Sequence, residues 1–358
     1  MSELKAGFCP REWEGIRQNY TAWWRGELDR PLVNVSVADP GPGFWRNLSS
    51  FLTNWPQDIS DDELVSAVEE RFSHCRFYGD GFPHFFINYG PGTAAAFAGA
   101  RLRAAPETAW FEPTSRSPLA EIRIALDRNN VWWRRVRHVT EVLARRLGDR
   151  IQISIADIGG NLDILASLRG TDELLTDLLD QPAEVDRCRR EITRMWLEIF
   201  DELHALIRPY CSGCVPWAPT WAPGPTYMLQ SDFSYMISPD MFREFVLPDL
   251  KACCDHLDYS FYHLDGVGEL PHLDQLLSIP NLHGIQWVPG AGKPPPSEWP
   301  ELLDRIRSAG KLVQVYVTPE EARTIVQRHG GKGFYLRLDG TGVTDASAPR
   351  LVKEISGV

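Results

Sequence analysis

The groups best suited to chemistry in this sequence stand at the ends of short apolar runs. Ser260-Phe261-Tyr262 delivers His263 and Asp265 and stops at Gly266, and Gly284-Ile285-Gln286-Trp287 repeats the pattern and stops at Pro289-Gly290. A buried strand hands polar side chains to a loop in this way. His263 and Asp265 are two apart, so on a strand they point to the same side and could hold one divalent metal ion. No second His or Cys is close in sequence, so Asp232 or Asp339 would have to complete the set. Other run ends supply Asp39, Asn88, Asp157, Trp217, Tyr316, and Arg337 with Asp339. Carboxylates crowded at one mouth raise each other's proton affinity or recruit a metal or a cationic partner. Asp157, Asp232, His263, Asp265 and Asp339 are therefore the candidate acid, base or metal-ligating groups. Trp217, Trp221, Tyr227, Gln286, Trp287, Tyr316 and Arg337 are candidates for orienting a small-molecule substrate. The plainer alternatives are turn formation, since Asp before Gly is common in turns, and core filling by the aromatic residues.

The elements that must position these groups alternate along the chain. Strands are expected at 32–37, 83–88, 151–155, 214–217, 260–262 with its polar tip, 284–287, 312–317 and 333–338, from apolar and β-branched runs. Helical spacing predicts helices over 11–26, 61–76, 131–147, 162–168, 172–180, 183–208, 239–256, 270–279, 319–328 and from 348. Residues 101–123 read as an irregular excursion. Eight strands followed by helices, with no Asn-Gly hairpin signals, predict a single closed (β/α)8 barrel of the TIM type with long loops at the C-terminal ends of the strands. An N-terminal helical extension (1–30) precedes the barrel (31–358). The turn after strand one, Ala38-Asp39-Pro40-Gly41-Pro42-Gly43, carries prolines that forbid a phosphate-cradling geometry.

Composition narrows the classes. With 43% hydrophobic and 24% charged residues the 358-residue chain reads as globular. A net charge of -11 and the lack of a Lys/Arg run argue against a nucleic-acid partner. No apolar stretch approaches about 18 residues, so no membrane association is expected. Early charges near the start exclude a secretory signal, and the 7 cysteines are expected to be reduced in the cytoplasm. Cys211-Ser212-Gly213-Cys214 lacks a second pair and reads as structural. The 13 Trp and 27 Pro suggest ordered loops with aromatic walls around a flat or ring-shaped ligand, or a large aromatic core.

Four stretches carry a family resemblance: Arg25-Gly26-Glu27 through Asp29-Arg30-Pro31; Leu168-Arg169-Gly170 with Leu174 and Leu178-Leu179; Ile237-Ser238-Pro239-Asp240-Met241-Phe242-Arg243-Glu244-Phe245-Val246-Leu247-Pro248; and the strand ending at His263. In these the chain resembles a divergent member of the uroporphyrinogen decarboxylase superfamily, which includes cobalamin-dependent methyltransferases that act on methylated thiol carriers. The resemblance implies a (β/α)8 barrel. It implies that His263 matches the first zinc ligand of the methyltransferases, that Asp265 matches the second by position, and that Asp80 matches the acidic residue with which decarboxylases hold pyrrole nitrogens. The chain departs from the decarboxylases in lacking an Arg-rich loop near strand one. It departs from the methyltransferases in having His263-Leu264-Asp265 where they have His-x-Cys, and no cysteine after Cys254; a harder His/carboxylate site, or no metal site, is what remains.

The expected function is methyl (group) transfer on a small molecule, with a divalent metal and a corrinoid carried by a partner protein as cofactors. The alternatives are a carboxylate-based hydrolase on a sugar-like substrate, a decarboxylase of a tetrapyrrole-like substrate, and a non-catalytic ligand-binding barrel. A homodimer is compatible with each.

Overall fold

Period-two apolar segments form the strands, and capped or proline-started segments form the helices between them. The structure is a computed structural model, and it describes residues 10–38, 49–338 and 342–357. The first third of the chain holds α1 (Pro10–Trp24), β1 (Leu32–Ala38), α2 (Asp61–Ser73), β2 (Cys75–Gly79), β3 (His84–Phe86), α3 (Ala94–Phe97), β4 (Arg101–Ala105) and β5 (Thr108–Glu112). The middle holds α4 (Val131–Leu147), β6 (Gln152–Ser154), α5 (Asn161–Arg169), α6 (Thr171–Asp180), α7 (Pro182–Ile207), β7 (Thr226–Leu229), α8 (Pro239–Phe245) and α9 (Leu247–His256). The last third holds β8 (Tyr259–Asp265), α10 (Leu273–Leu277), β9 (Gly284–Val288), α11 (Pro300–Ser308), β10 (Leu312–Tyr316), α12 (Pro319–His329), β11 (Phe334–Arg337) and α13 (Ala348–Ser356).

The fold is mixed α/β. A seven-stranded sheet runs in the order β2-β1-β11-β10-β9-β8-β7, and all its pairings are parallel except β1 with β2. A separate parallel pair joins β3 to β6, and β4 with β5 forms an antiparallel hairpin. Among the described residues no ladder closes these sheets into the expected ring. No helix among them is long and apolar enough to cross a membrane.

Several local expectations are corrected. Residues 214–217 form only an isolated bridge between Cys214 and Ala222, because Pro216 has no N–H to give a ladder; the strand lies later, at β7, where Thr226 to Leu229 are all buried. The helix expected over 239–256 breaks at Val246, since Pro248 cannot bond back to Glu244 and its ring would crowd that carbonyl. Pro271 likewise turns 267–272 into a 3₁₀ turn ahead of α10. The helix expected to reach residue 76 stops at Ser73, and β2 follows. The hairpin β4/β5 replaces the irregular excursion, and α11 was not anticipated. Asp39 and Asp339 lie outside the described residues.

Alternation assigns each strand two faces. On β8, Phe261, His263 and Asp265 share one face while Tyr262 and Leu264 join the main apolar core with Ile285 and Trp287 of β9. Helix α1 covers the N-terminal ends of the strands with a second, aromatic core. There Trp23 stacks on Phe261 at 5.7 Å, and Tyr20 meets Trp221, Tyr335 and Phe82 edge-on at 6.2, 5.7 and 5.6 Å. Gly284 makes room for this packing: a Cβ there would stand 2.1 Å from the Phe261 ring.

Asp80 belongs to this lower end. Its carboxylate takes a bidentate pair from Arg30 at 2.7 and 3.0 Å, the Val33 N–H at 2.9 Å and the Asn19 amide at 2.8 Å. The expected substrate contact is therefore replaced by an anchor between the α1–β1 connection and the sheet. Asp80→Ala would leave the Arg30 charge and the Val33 donor without a partner, and is expected to cost about 3 kcal/mol or more in urea unfolding. Unchanged stability would contradict that anchoring role.

Candidate functional site

Two loops bring the site together. After β7 the chain turns through Gln230 and Ser231 into a 3₁₀ turn that begins at Asp232, and β8 ends with His263 and Asp265. One atom from each of Asp232, His263 and Asp265 lies within 4.8 Å of the others. His263 Nε2 is 3.9 Å from Asp265 Oδ2, and the edge of Trp217 meets the imidazole with ring centroids 5.2 Å apart.

The Asp232 turn is held from three sides. The Asp163 carboxylate, in the first turn of α5, accepts the backbone N–H groups of Asp232 at 3.1 Å and Phe233 at 2.7 Å. His272 Nε2 donates to the Ser234 carbonyl at 2.8 Å, while its ring stacks on Phe242 at 4.4 Å. Tyr235 lies flat over Gly268, where any Cβ would come within 2.6 Å of the ring. The 267–272 turn that follows β8 thus supports the turn that carries Asp232, and the two sides of the site pack on each other.

The electrostatics are dominated by acids near one another. Asp232 reaches solvent, yet protein atoms crowd its carboxyl. Its proton affinity is raised by burial and by Asp265 and lowered by His263. Asp157 is buried and pushed up to about 8, by burial first and then by Asp232. Glu269, 1% exposed, is pushed up to about 10 by burial, with Asp232, Asp163 and Asp265 adding to it and the 3.0 Å bond from the Tyr262 hydroxyl opposing. Asp163 is raised for the same reasons, burial and then Asp232. One oxygen of Asp157 and one of Glu269 are buried without a protein partner. At neutral pH such groups hold protons, or give them up to an arriving cation.

The structure brings together only part of the expected set. Asp157, Asp232, His263, Asp265, Trp217 and Gln286 meet at the C-terminal ends of the strands. Tyr227 stands behind them, its hydroxyl accepting the Ile158 N–H at 2.7 Å and so fixing the loop after Asp157. Tyr316 is on the rim, with the Arg337 guanidinium over its ring at 5.1 Å. Trp221 is elsewhere, in the aromatic core beneath α1. Trp287 also turns away: adjacent to Gln286 on one strand, it must face the opposite side, where it packs on Trp299 at 5.3 Å. Glu269, Asp163 and Gln314 were missed. Glu269 followed a strand tip directly, and Gln314 was a polar residue inside an apolar strand, a signal the sequence did offer. Asp163 stands in the first turn of α5, where an acid is ordinary, and so gave no signal.

The chain matches no protein-family model and no curated protein.

The raised acids set a pH signature. An acid whose folded pKa exceeds its unfolded value of about 4 contributes stability that is complete below that value and is lost as pH climbs toward the folded pKa. His84, held neutral and pushed down to about 3 by burial and then by Arg337, acts in the opposite sense below its unfolded value of about 6.5. Between about pH 6.5 and 8 the acids act without it, so urea unfolding in the presence of a chelator is expected to show stability falling with rising pH. Asp157→Asn is expected to flatten that slope; a wild-type profile that rises over this window would contradict the assignment.

Proposed function

We propose that the protein is a small-molecule enzyme whose Asp232, His263 and Asp265 bind one divalent cation at the mouth of a (β/α)8 barrel, and that it performs group transfer, with a methyl group exchanged with a corrinoid partner protein as the leading reaction. The convergence of one imidazole nitrogen and two carboxylate oxygens within 4.8 Å carries this reading. Such a hard N/O set suits Mn²⁺, Fe²⁺, Co²⁺ or Zn²⁺ over thiophilic ions. Ring closure is supported by one backbone hydrogen bond outside the ladders, from the Ile155 N–H to the Val215 carbonyl at 2.9 Å, which joins the end of β6 to the segment ahead of β7.

A cation there would act as a Lewis acid on a substrate heteroatom and favour its deprotonated form. The chain's own groups would do the rest. Asp232 and Asp265 hold negative charge toward the cation, and Trp217 walls the imidazole from water. Asp157 and Glu269, protonated at neutral pH and near Asp232, would be the source of the proton that the heteroatom takes up when its methyl group departs. Tyr235 and Met236, about half exposed beside Asp232, with Tyr316 on the rim, form the apolar margin on which a partner would seat.

The glycosidic alternative has less support. Two of its three proposed indole platforms, Trp221 and Trp287, point elsewhere. A decarboxylase reading loses its pyrrole-holding acid, because Asp80 is bound by Arg30.

Calorimetric titration with Co²⁺ is expected to show one site per chain. Asp232→Asn, His263→Gln and Asp265→Asn should each weaken it by at least about tenfold. Protons compete with the cation for the Asp232 carboxylate, whose proton affinity is raised by burial and by Asp265, so affinity is expected to climb with pH. With metal bound, methyl transfer to reduced free cobalamin from a panel of methoxylated and methylamine compounds is the expected activity. Tight metal binding with no transfer from any of them would exclude the methyl-transfer reading and leave a binding protein.

A further inference from the structure

His263 makes its second ring contact away from the cleft. Its Nδ1 hydrogen-bonds to Oε1 of Gln286 on the next strand. Gln286 Nε2 in turn donates to Gln314 Oε1 at 3.1 Å, and the Thr220 hydroxyl donates to that same oxygen at 3.3 Å. The register makes these contacts neighbours: His263 pairs with Gln286 across β8/β9, and Gln286 with Gln314 across β9/β10. Gln286 and Gln314 are 0% exposed and Thr220 is 1% exposed, so water does not compete for these groups.

The direction of each bond follows from chemistry. The Thr220 hydroxyl and Gln286 Nε2 both approach Gln314 Oε1, which is the orientation of that amide in the structure, while its Nε2 finds no protein partner. With Gln314 in that orientation, Gln286 turns its NH₂ to Gln314 and its oxygen to His263. An amide oxygen only accepts, so the His263 proton belongs on Nδ1. The neutral imidazole then presents a lone pair at Nε2, the nitrogen facing Asp265 Oδ2.

We infer that Thr220, Gln314 and Gln286 form a relay across the strand interior whose task is to hold His263 in the Nδ1–H tautomer, with Nε2 free as a ligand or base. Gln286 and Gln314 are positioning residues: neither touches the cleft atom that they control. Outer hydrogen bonds of this type fix ring orientation and basicity in metal-binding histidines. The inference deepens, and for its metal consequence rests on, the divalent-cation reading of the site; the tautomer itself does not depend on a metal.

The test is ¹⁵N NMR of imidazole-labelled, metal-free protein at alkaline pH, with His263 assigned by the resonance lost in His263→Gln. Wild type is expected to show His263 as the Nδ1–H tautomer alone. Gln286→Leu is expected to give a mixture containing Nε2–H and to weaken Co²⁺ binding about 10- to 100-fold. Gln314→Met, a near-isosteric change kept as the second variant should Gln286→Leu fold poorly, is expected to shift the tautomer in the same direction. In the Gln286→Leu background Gln314→Met should have no further effect, because the two act through one ring. An Nε2–H tautomer in wild type, or an unchanged tautomer in both single variants, would overturn the relay, as would additive losses in the double variant. If the tautomers behave as expected while wild type binds no Co²⁺, the relay stands and the cation reading falls.

Discussion

Like charges held together in a partly dry cleft must be relieved by something, and that necessity shapes the upper end of this protein. Asp232 and Asp265 share the cleft with His263 at under 4.8 Å, and Asp157, Asp163 and Glu269 stand close enough to feel them. At an effective dielectric of about 20, two unit charges a few ångströms apart repel by several kcal/mol. Protons can relieve this, which the raised proton affinities of the buried acids express. A cation relieves it more completely, since it turns repulsion between the carboxylates into shared attraction.

The scaffold keeps this tension local by separating two chemistries along the same strands. Below, α1 lays Tyr20 and Trp23 against Phe261 and Tyr335, and Asp80 ties the connection to β1 by bonds that leave little of its carboxylate free. Above, the inward positions become polar: Gln314, Gln286 and His263 form a rung across three strands. One strand serves both ends, because Phe261 and His263 lie two residues apart on the same face of β8. Packing at the lower end therefore holds the height of the imidazole at the upper end, and the turn carrying Asp232 is seated on the turn that follows Asp265 through Tyr235 and His272.

Much of this was legible in the sequence, for physical reasons. The apolar runs around residues 259–265, 284–288 and 312–316 marked strands to within one or two residues, and the 3.6-residue spacing over 131–147 gave that helix without error. The pairing of His263 with Asp265 followed from the period of a strand alone. What failed were inferences needing more than local pattern. Prolines at 216, 248 and 271 broke elements whose apolar spacing looked continuous. Trp287 was assigned to the cleft beside Gln286, although neighbours on a strand cannot share a face. Trp221 was taken from a loop rich in aromatics, and only packing against α1 decided its place. Asp163 and Glu269 gain their meaning from Asp232, a residue distant in sequence, so no local reading could have found them together.

The most direct measurement is an anomalous difference map, recorded at the cobalt edge from crystals grown with Co²⁺. A single strong peak between Asp232, His263 and Asp265, with the metal on His263 Nε2, is the result that crowded acids and a tautomer set from behind require. A well-ordered cleft that holds only water, with cobalt bound elsewhere or nowhere, would show that protons alone settle these charges and that the cleft is not a metal centre.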